Sequence, residues 1–102
     1  MRSELYSLNV PTTQTTGTPF PARNLRDKSI QLVGIAGGGV AKVEGTIDGS
    51  TWVAASGGAG NISADGVYAI TETFDLIRIN RSTLGTGTWT ATLNGYNVRA
   101  GG

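Results

Sequence analysis

The longer segments of this sequence alternate between apolar and polar residues, and this period of two most constrains the fold. In residues 40–48, for example, the pattern places Val43 and Ile47 on one face, opposite Lys42 and Glu44. No segment of helical length shows an apolar stripe with a spacing of 3.6 residues. The sequence therefore predicts an all-β protein with a single antiparallel β-sandwich or jelly roll, of about six to eight short strands.

Glycine-rich turns delimit the predicted strands. The triplet Gly37–Gly39 lies between two strand patterns and lacks the helix that follows a phosphate-binding loop, so it predicts a turn. A loop of small residues follows the third strand, with a short strand near Ile62. The main strand candidates are residues 29–35, 40–48, 51–56, 67–71, 75–80 and 88–98.

The N-terminal part differs from the rest in composition. Residues 9–21 hold all three prolines and five threonines, and their large apolar side chains are Val10 and Phe20. Proline removes a backbone donor and favours extended neighbours, so this stretch predicts an extended arm. We divide the chain into an arm and hinge over residues 1–28 and a β-sandwich body over residues 29–102. The arm is either a flexible tail or becomes ordered against another subunit.

If the arm is ordered by a partner, it provides the interaction surface. Residues 5–10 would add a strand to a neighbouring chain, and Phe20 would be the apolar anchor. The mixed-charge hinge over residues 23–28 contributes two arginines. The predicted interaction residues are Leu5, Tyr6, Leu8, Val10, Phe20, Arg23 and Arg26.

Cysteine and histidine are both absent from the 102 residues. The chain therefore forms no disulfide and has no thiolate, and it lacks the commonest general base and transition-metal ligand. Its seven acidic residues are scattered, with no pair spaced as an acid/base dyad. We expect a protein that is not an enzyme, with no cofactor and no metal.

Charge and hydropathy argue against two further classes of partner. The net charge is +1 and the basic residues are mostly isolated, so we expect no binding to nucleic acid. The apolar runs are far shorter than the roughly 20 residues that span a bilayer, and the first residues lack the apolar core of a secretory signal. We expect no membrane partner, and synthesis in the cytoplasm.

Two aspartates and two tryptophans each allow two interpretations. Asp48 and Asp65 precede glycines, which is typical of turns, and a calcium site is the less favoured alternative. Burying a tryptophan removes on the order of 200 Å² from water. Trp52 and Trp89 are therefore core residues or, if exposed, part of an interaction surface. If Trp52 is buried beside a short Asp48-Gly49 turn, Trp52→Ala should cost roughly 3 to 5 kcal/mol of stability.

Three segments together resemble a known class of protein. They read FPARN at residues 20–24, EGTIDGSTWV at 44–53 and DLIRINRSTLGTGTWTATLNGY at 75–96. In this combination the chain resembles small β-sandwich virion proteins of tailed bacteriophages, of the capsid decoration or cement kind. A shorter stretch, TIDGSTWVAAS at residues 46–56, is similar to a hairpin of discoidin-like carbohydrate-binding sandwiches.

The first resemblance implies a structural role on the outer surface of a virion. Such a protein, as a homotrimer, ties neighbouring major capsid proteins together and stabilises the head. The expected partners are then the major capsid protein and further copies of this chain. The alternatives are a component of a tail fibre or baseplate, and a carbohydrate-binding or adhesion module. The second of these would use Trp52, Tyr68, Trp89 or Tyr96 as its platform.

Overall fold

The chain folds as a β-sandwich of two four-stranded antiparallel sheets. The computed structural model describes residues 2–35 and 37–97, and their side chains from residue 4 onward. Eight strands lie within these ranges, together with one short 3-10 turn at Gly57–Gly60. The predicted all-β class and single antiparallel sandwich are confirmed.

The two sheets each combine strands from both halves of the chain. Sheet A has the order β1-β8-β3-β6, and sheet B has the order β2-β7-β4-β5. The strands of sheet A are β1 (Arg2–Leu8), β8 (Thr90–Asn97), β3 (Leu25–Val33) and β6 (Gly66–Ile70). The strands of sheet B are β2 (Phe20–Pro21), β7 (Leu76–Thr83), β4 (Val40–Thr46) and β5 (Val53–Ala54).

The strand pairing is nested along the chain. β1 pairs with β8, β2 with β7, β3 with β6 and β4 with β5, always antiparallel. This pattern is that of one long hairpin folded over on itself. The nesting gathers the connections 22–24, 47–52 and 71–75 at one end, which we call the open end. The connections 9–19, 34–39 and 84–89 lie at the other, which we call the closed end.

The core lies between the sheets and follows the predicted alternation. On β7 and β8 the residues expected to point inward are buried, and their neighbours in sequence are more exposed. Burying each large aliphatic side chain contributes about 1.5–3 kcal/mol. The largest fully enclosed side chains are Ile30, Leu32, Ile62, Ile77, Ile79, Leu93, Val43 and Thr46.

The predicted division at residue 28 is corrected by the structure. β1 pairs with β8 of the same chain, from Arg2 opposite Asn97 to Leu8 opposite Ala91. β3 runs through the expected boundary. The physical reason is that β8 would otherwise leave a row of backbone groups unpaired, and β1 satisfies them while burying Leu8. The last five residues of the predicted body, 98–102, lie outside the described residues.

The proline-rich and threonine-rich segment runs along the outer edge of β7. The N–H of Gly17 donates to the carbonyl of Ile79 at 2.8 Å, and the N–H of Arg81 donates to the carbonyl of Thr15 at 2.9 Å. Thr16 forms an isolated bridge with Asn80, and β2 continues along the same edge. The segment is extended, as its prolines predict, but it pairs within its own chain.

A buried arginine fastens the closed end. The guanidinium of Arg81 donates to the carbonyls of Leu84 and Pro11, both at 3.0 Å, and of Gly87 at 3.3 Å. Its central carbon lies 3.9 Å from the centroid of the buried Trp89 ring. These contacts join the N-terminal segment, β7 and the connection to β8. Trp89 is therefore a core residue, one of the two interpretations that the sequence left open.

Trp52 occupies a different environment. Its half-buried ring lies against Arg78, whose guanidinium carbon is 4.0 Å from the ring centroid. In the hairpin, Gly45 pairs with Val53, so Asp48 belongs to the longer loop over residues 47–52. The predicted short turn at Asp48-Gly49 is therefore wrong, and so is the interpretation in which the Trp52 ring is fully buried.

The two tryptophans give a matched test of this assignment. We expect Trp89→Ala to lower the free energy of unfolding by roughly 3–5 kcal/mol, because it empties a core site. Trp52→Ala should lower it by only about 1–2 kcal/mol, through partial burial and a cation–π contact. Urea unfolding followed by circular dichroism measures both values. Equal losses in the two variants would contradict the assignment.

Candidate functional site

Three rows of paired residues on the outer face of sheet A contain no charged side chain among those described. Leu5 and Val67 are its most exposed apolar members, at 73% and 65%. Uncharged surfaces with mixed hydroxyl and aliphatic groups suit protein interfaces, whose centres are depleted of charged residues. We call this surface the neutral face. Its rows are Leu5-Asn94-Ser29-Ala69, Ser7-Thr92-Gln31-Val67 and Thr90-Val33.

The outer face of sheet B is charged, and its Glu44 and Arg78 are paired with each other. The Glu44 carboxylate accepts from Arg78 Nε at 2.9 Å and from Asn80 Nδ2 at 3.0 Å. The ring of Trp52 covers Arg78, and Lys42 lies opposite Asn80 in the register. A partner docking here would have to remove water from a salt bridge, which makes this face the less favourable one for binding.

The open end contains two hollows beside an ion pair. Arg23 Nη2 donates to Asp75 Oδ2 at 2.7 Å, and this hydrogen bond is the main reason why the pKa of Asp75 is lowered. One hollow of about 750 Å³ lies beside Arg26 and Lys28. A second, of about 480 Å³, lies beside Ile47. Loops at one end of a sandwich are a frequent place for binding sites, so the open end is a second candidate site.

The structure separates the predicted interaction residues into three places. Four of them pack against the core of their own chain, because β1 and β2 pair within it. These four are Tyr6, Leu8, Val10 and Phe20. Leu5 instead lies on the neutral face, and Arg23 and Arg26 lie at the open end. The first four therefore make their contacts within their own chain, and their use as anchors in another subunit stays a prediction.

The aromatic residues considered as a sugar platform are dispersed. Trp89 is buried, and the hydroxyl of Tyr68 donates to the carbonyl of Ala64 at 2.6 Å. Trp52 is covered on one side by its arginine. Tyr96 is exposed at the margin of the neutral face, opposite Arg26. The four rings do not form one platform.

The two aspartates that precede glycine each organise a separate loop. Asp48 Oδ1 accepts from the N–H groups of Ser50 and Thr51, both at 2.8 Å. Asp65 Oδ1 accepts from two N–H groups of the β3–β4 connection, at 3.0 and 2.9 Å. Within residues 2–35 and 37–97, no group of three or more acidic side chains comes together as a metal site. The hydrogen bonds agree with the turn interpretation of both residues.

Lys28 and most of the neutral face were not among the predicted site residues, although both left a signal in the sequence. Lys28 stands two residues before Ile30, which places its side chain on the apolar side of β3 by parity. The outward positions 29, 31 and 33 and the outward positions 90, 92 and 94 contain no charged residue. Comparing the charge of outward positions between strands would have identified this face.

Comparison with known proteins adds no relative. No protein-family model, curated protein or solved structure matches this chain significantly. In the described part of the chain, no helix is long and apolar enough to span a bilayer. Function is therefore inferred from the geometry of the two candidate surfaces.

Asp48 provides a pH test of the open-end loop. Hydrogen bonds from Thr51, Ser50 and Thr46 lower the pKa of its carboxyl from the model-peptide value of 3.8 to about 2. A carboxyl whose pKa is lower in the folded state stabilises the fold at pH values above its unfolded-state pKa. This stabilisation is lost as the pH falls toward 2. We expect wild type to be more stable than Asp48→Ala at pH 7, and this difference to shrink between about pH 4 and pH 2. Urea unfolding across this range measures it, and a constant difference would contradict the assignment.

Proposed function

We propose that this chain is a non-enzymatic virion structural protein, a capsid decoration or cement protein that bridges neighbouring major capsid proteins on the outside of a head. The neutral face is the observation that carries this proposal. It is rigid, because it is built on four paired strands, and it offers a partner apolar and hydroxyl groups without an exposed charge. Because three segments of the chain resemble small phage virion proteins, the partner we expect is the capsid shell.

The size of the neutral face favours assembly in many copies. Four strands about 4.8 Å apart and five residues at about 3.4 Å each give roughly 300 Å². A stable interface takes about 800 Å² from each partner. One copy therefore binds weakly, whereas three copies on one symmetric site offer about the required area. This supports the homotrimer, and repeated contacts on a closed shell raise the effective affinity further.

The nested strand order supports the proposal by analogy only. Jelly-roll sandwiches occur in viral capsid proteins and in lectin domains, so fold alone separates neither role. For an adhesion module, Tyr96 is the most accessible aromatic of the four considered. The dispersed aromatic rings make that function the alternative, together with a component of a tail fibre or baseplate.

The structure changes how the proposal should be tested. Deleting residues 1–21 would remove β1 and β2 and the buried Leu8, so the loss of binding would only report unfolding. Point substitutions on the two outer faces avoid this problem. Ala69 on the neutral face and Ala54 on β5 of sheet B are both exposed strand alanines, and they form a matched pair.

We expect the wild-type chain to bind saturably to purified heads that lack it and to raise the temperature at which the heads disrupt. Ala69→Lys should weaken binding by about 100-fold or more, because it buries an unpaired ammonium in the contact. Ala54→Lys should remain within about threefold of wild type. Sedimentation of heads with labelled protein measures affinity and copy number. Wild-type affinity in Ala69→Lys, or glycan binding without head binding by the wild type, would overturn the proposal.

A further inference from the structure

β3 is irregular where it enters sheet A. Its register with β8 shifts between Arg26 and Ser29. Asp27, inside this bulge, has a φ of 50° and is the only non-glycine residue with a positive φ among residues 2–35 and 37–97. A non-glycine residue in this region costs on the order of 1–3 kcal/mol and often marks a functional position. The bulge leaves the next residue, Lys28, on the inner side of the sheet.

Lys28 is buried without a direct partner. It is 5% exposed, and within the described part of the chain no group hydrogen-bonds its ammonium or lies within ion-pair distance. Burial lowers its pKa, and the charges of Glu72 and Asp27 offset this only in part. No fully enclosed side-chain nitrogen or oxygen in the described residues lacks a partner, so the ammonium has to reach open space.

The hollow of about 750 Å³ at the open end is that space. Its walls include Lys28 and two further basic residues, Arg23 and Arg26. Arg23 is engaged by Asp75, whereas Arg26 forms no ion pair with any described residue. The other lining residues are hydroxyl-bearing, apolar or acidic: Ser29, Thr71, Thr73, Leu25, Ala69, Ile70 and Asp27.

We propose that this hollow is a carboxylate-binding site in which Lys28 and Arg26 hold the anionic group and the nearby hydroxyls donate to it. An ammonium that opens into the hollow and an exposed guanidinium are strong donors to a carboxylate. The acidic residues around the site, Asp27, Glu72 and Asp75, disfavour a doubly charged phosphate and fit a singly charged group better. They also limit affinity for a single carboxylate to about the millimolar range. The site does not rest on the proposed function, although Ser29 and Ala69 belong both to the lining of the hollow and to the neutral face.

The two lysines of this chain make the site directly observable. Protein labelled with ¹³C at lysine Cε gives two signals, and Lys42 on the outer face of sheet B is the internal reference. We expect sodium acetate, added at constant ionic strength against chloride, to shift the Lys28 signal saturably and to raise its pKa, while the Lys42 signal stays constant. The reason is that a bound anion stabilises the charged ammonium.

Variants separate binding from a general salt effect. In Lys28→Met, acetate should no longer shift the amide signals of Thr71 and Thr73, and in Arg26→Gln the acetate affinity should fall about tenfold. Lys42→Met is the matched control and should keep wild-type affinity. A Lys28 signal that moves linearly with acetate, or Thr71 and Thr73 shifts that persist in Lys28→Met, would overturn the proposal.

The same titration distinguishes two sources of the carboxylate. Acetyl-Gly-Glu-Gly-amide presents the side chain of a protein partner, and acetate presents a free small acid. Tighter binding of the peptide supports the site and identifies a protein side chain, since the apolar wall would contact the peptide as well. Equal binding supports the site for a small acid. Because no head is present, the result does not depend on whether the chain decorates a capsid.

Discussion

The stacking of Arg81 on Trp89 is the interaction on which the rest of the sandwich depends. One buried guanidinium donates to three carbonyls from two parts of the chain that are far apart in sequence, at Pro11 and at the β7–β8 connection. These carbonyls lie in connections outside the eight strands, so the side chain joins parts of the chain that strand pairing does not join. Pro11 lies between β1 and β2. Its attachment therefore helps to hold β1 on sheet A and β2 on sheet B.

This attachment also explains why the N-terminal segment behaves differently from a free arm. Its prolines keep it extended, but the edges of β7 and β8 lie within reach in the same molecule. Pairing within the chain avoids the translational and rotational entropy lost on association, so a local edge is favoured over an equivalent edge on another subunit. The surface that we propose for docking is then the face of a completed sheet. Such a face is rigid before binding, which reduces the entropy lost in each contact.

The sequence predicted those parts of the fold in which strand parity is uninterrupted. Ile77 and Ile79 on β7 were placed inward and are buried, because their strand follows a period of two without interruption. Ile47 was placed on the same face as Val43, yet it is 72% exposed, because β4 ends at Thr46 and parity has no meaning in the following loop. The pairing partner of β1 could not be predicted, since alternation specifies the face of a strand and not the edge that it joins. The candidate site was partly predictable: the absence of charge on outward positions and the parity of Lys28 with Ile30 are visible in the sequence, whereas the bulge at Asp27 is not.

The two ends of the molecule show opposite ways of burying a cation. At the closed end, each of the three guanidinium nitrogens of Arg81 donates to a carbonyl of the same chain, and an aromatic ring lies against the guanidinium. At the open end, Lys28 has neither, and the strained Asp27 precedes it. Both residues are buried on inner faces of the same sandwich, and burying a charge is costly unless the charge is paired. For Lys28 to be hydrogen-bonded as Arg81 is, an acceptor has to come from outside the described chain. The adjoining hollow is where such an acceptor can enter.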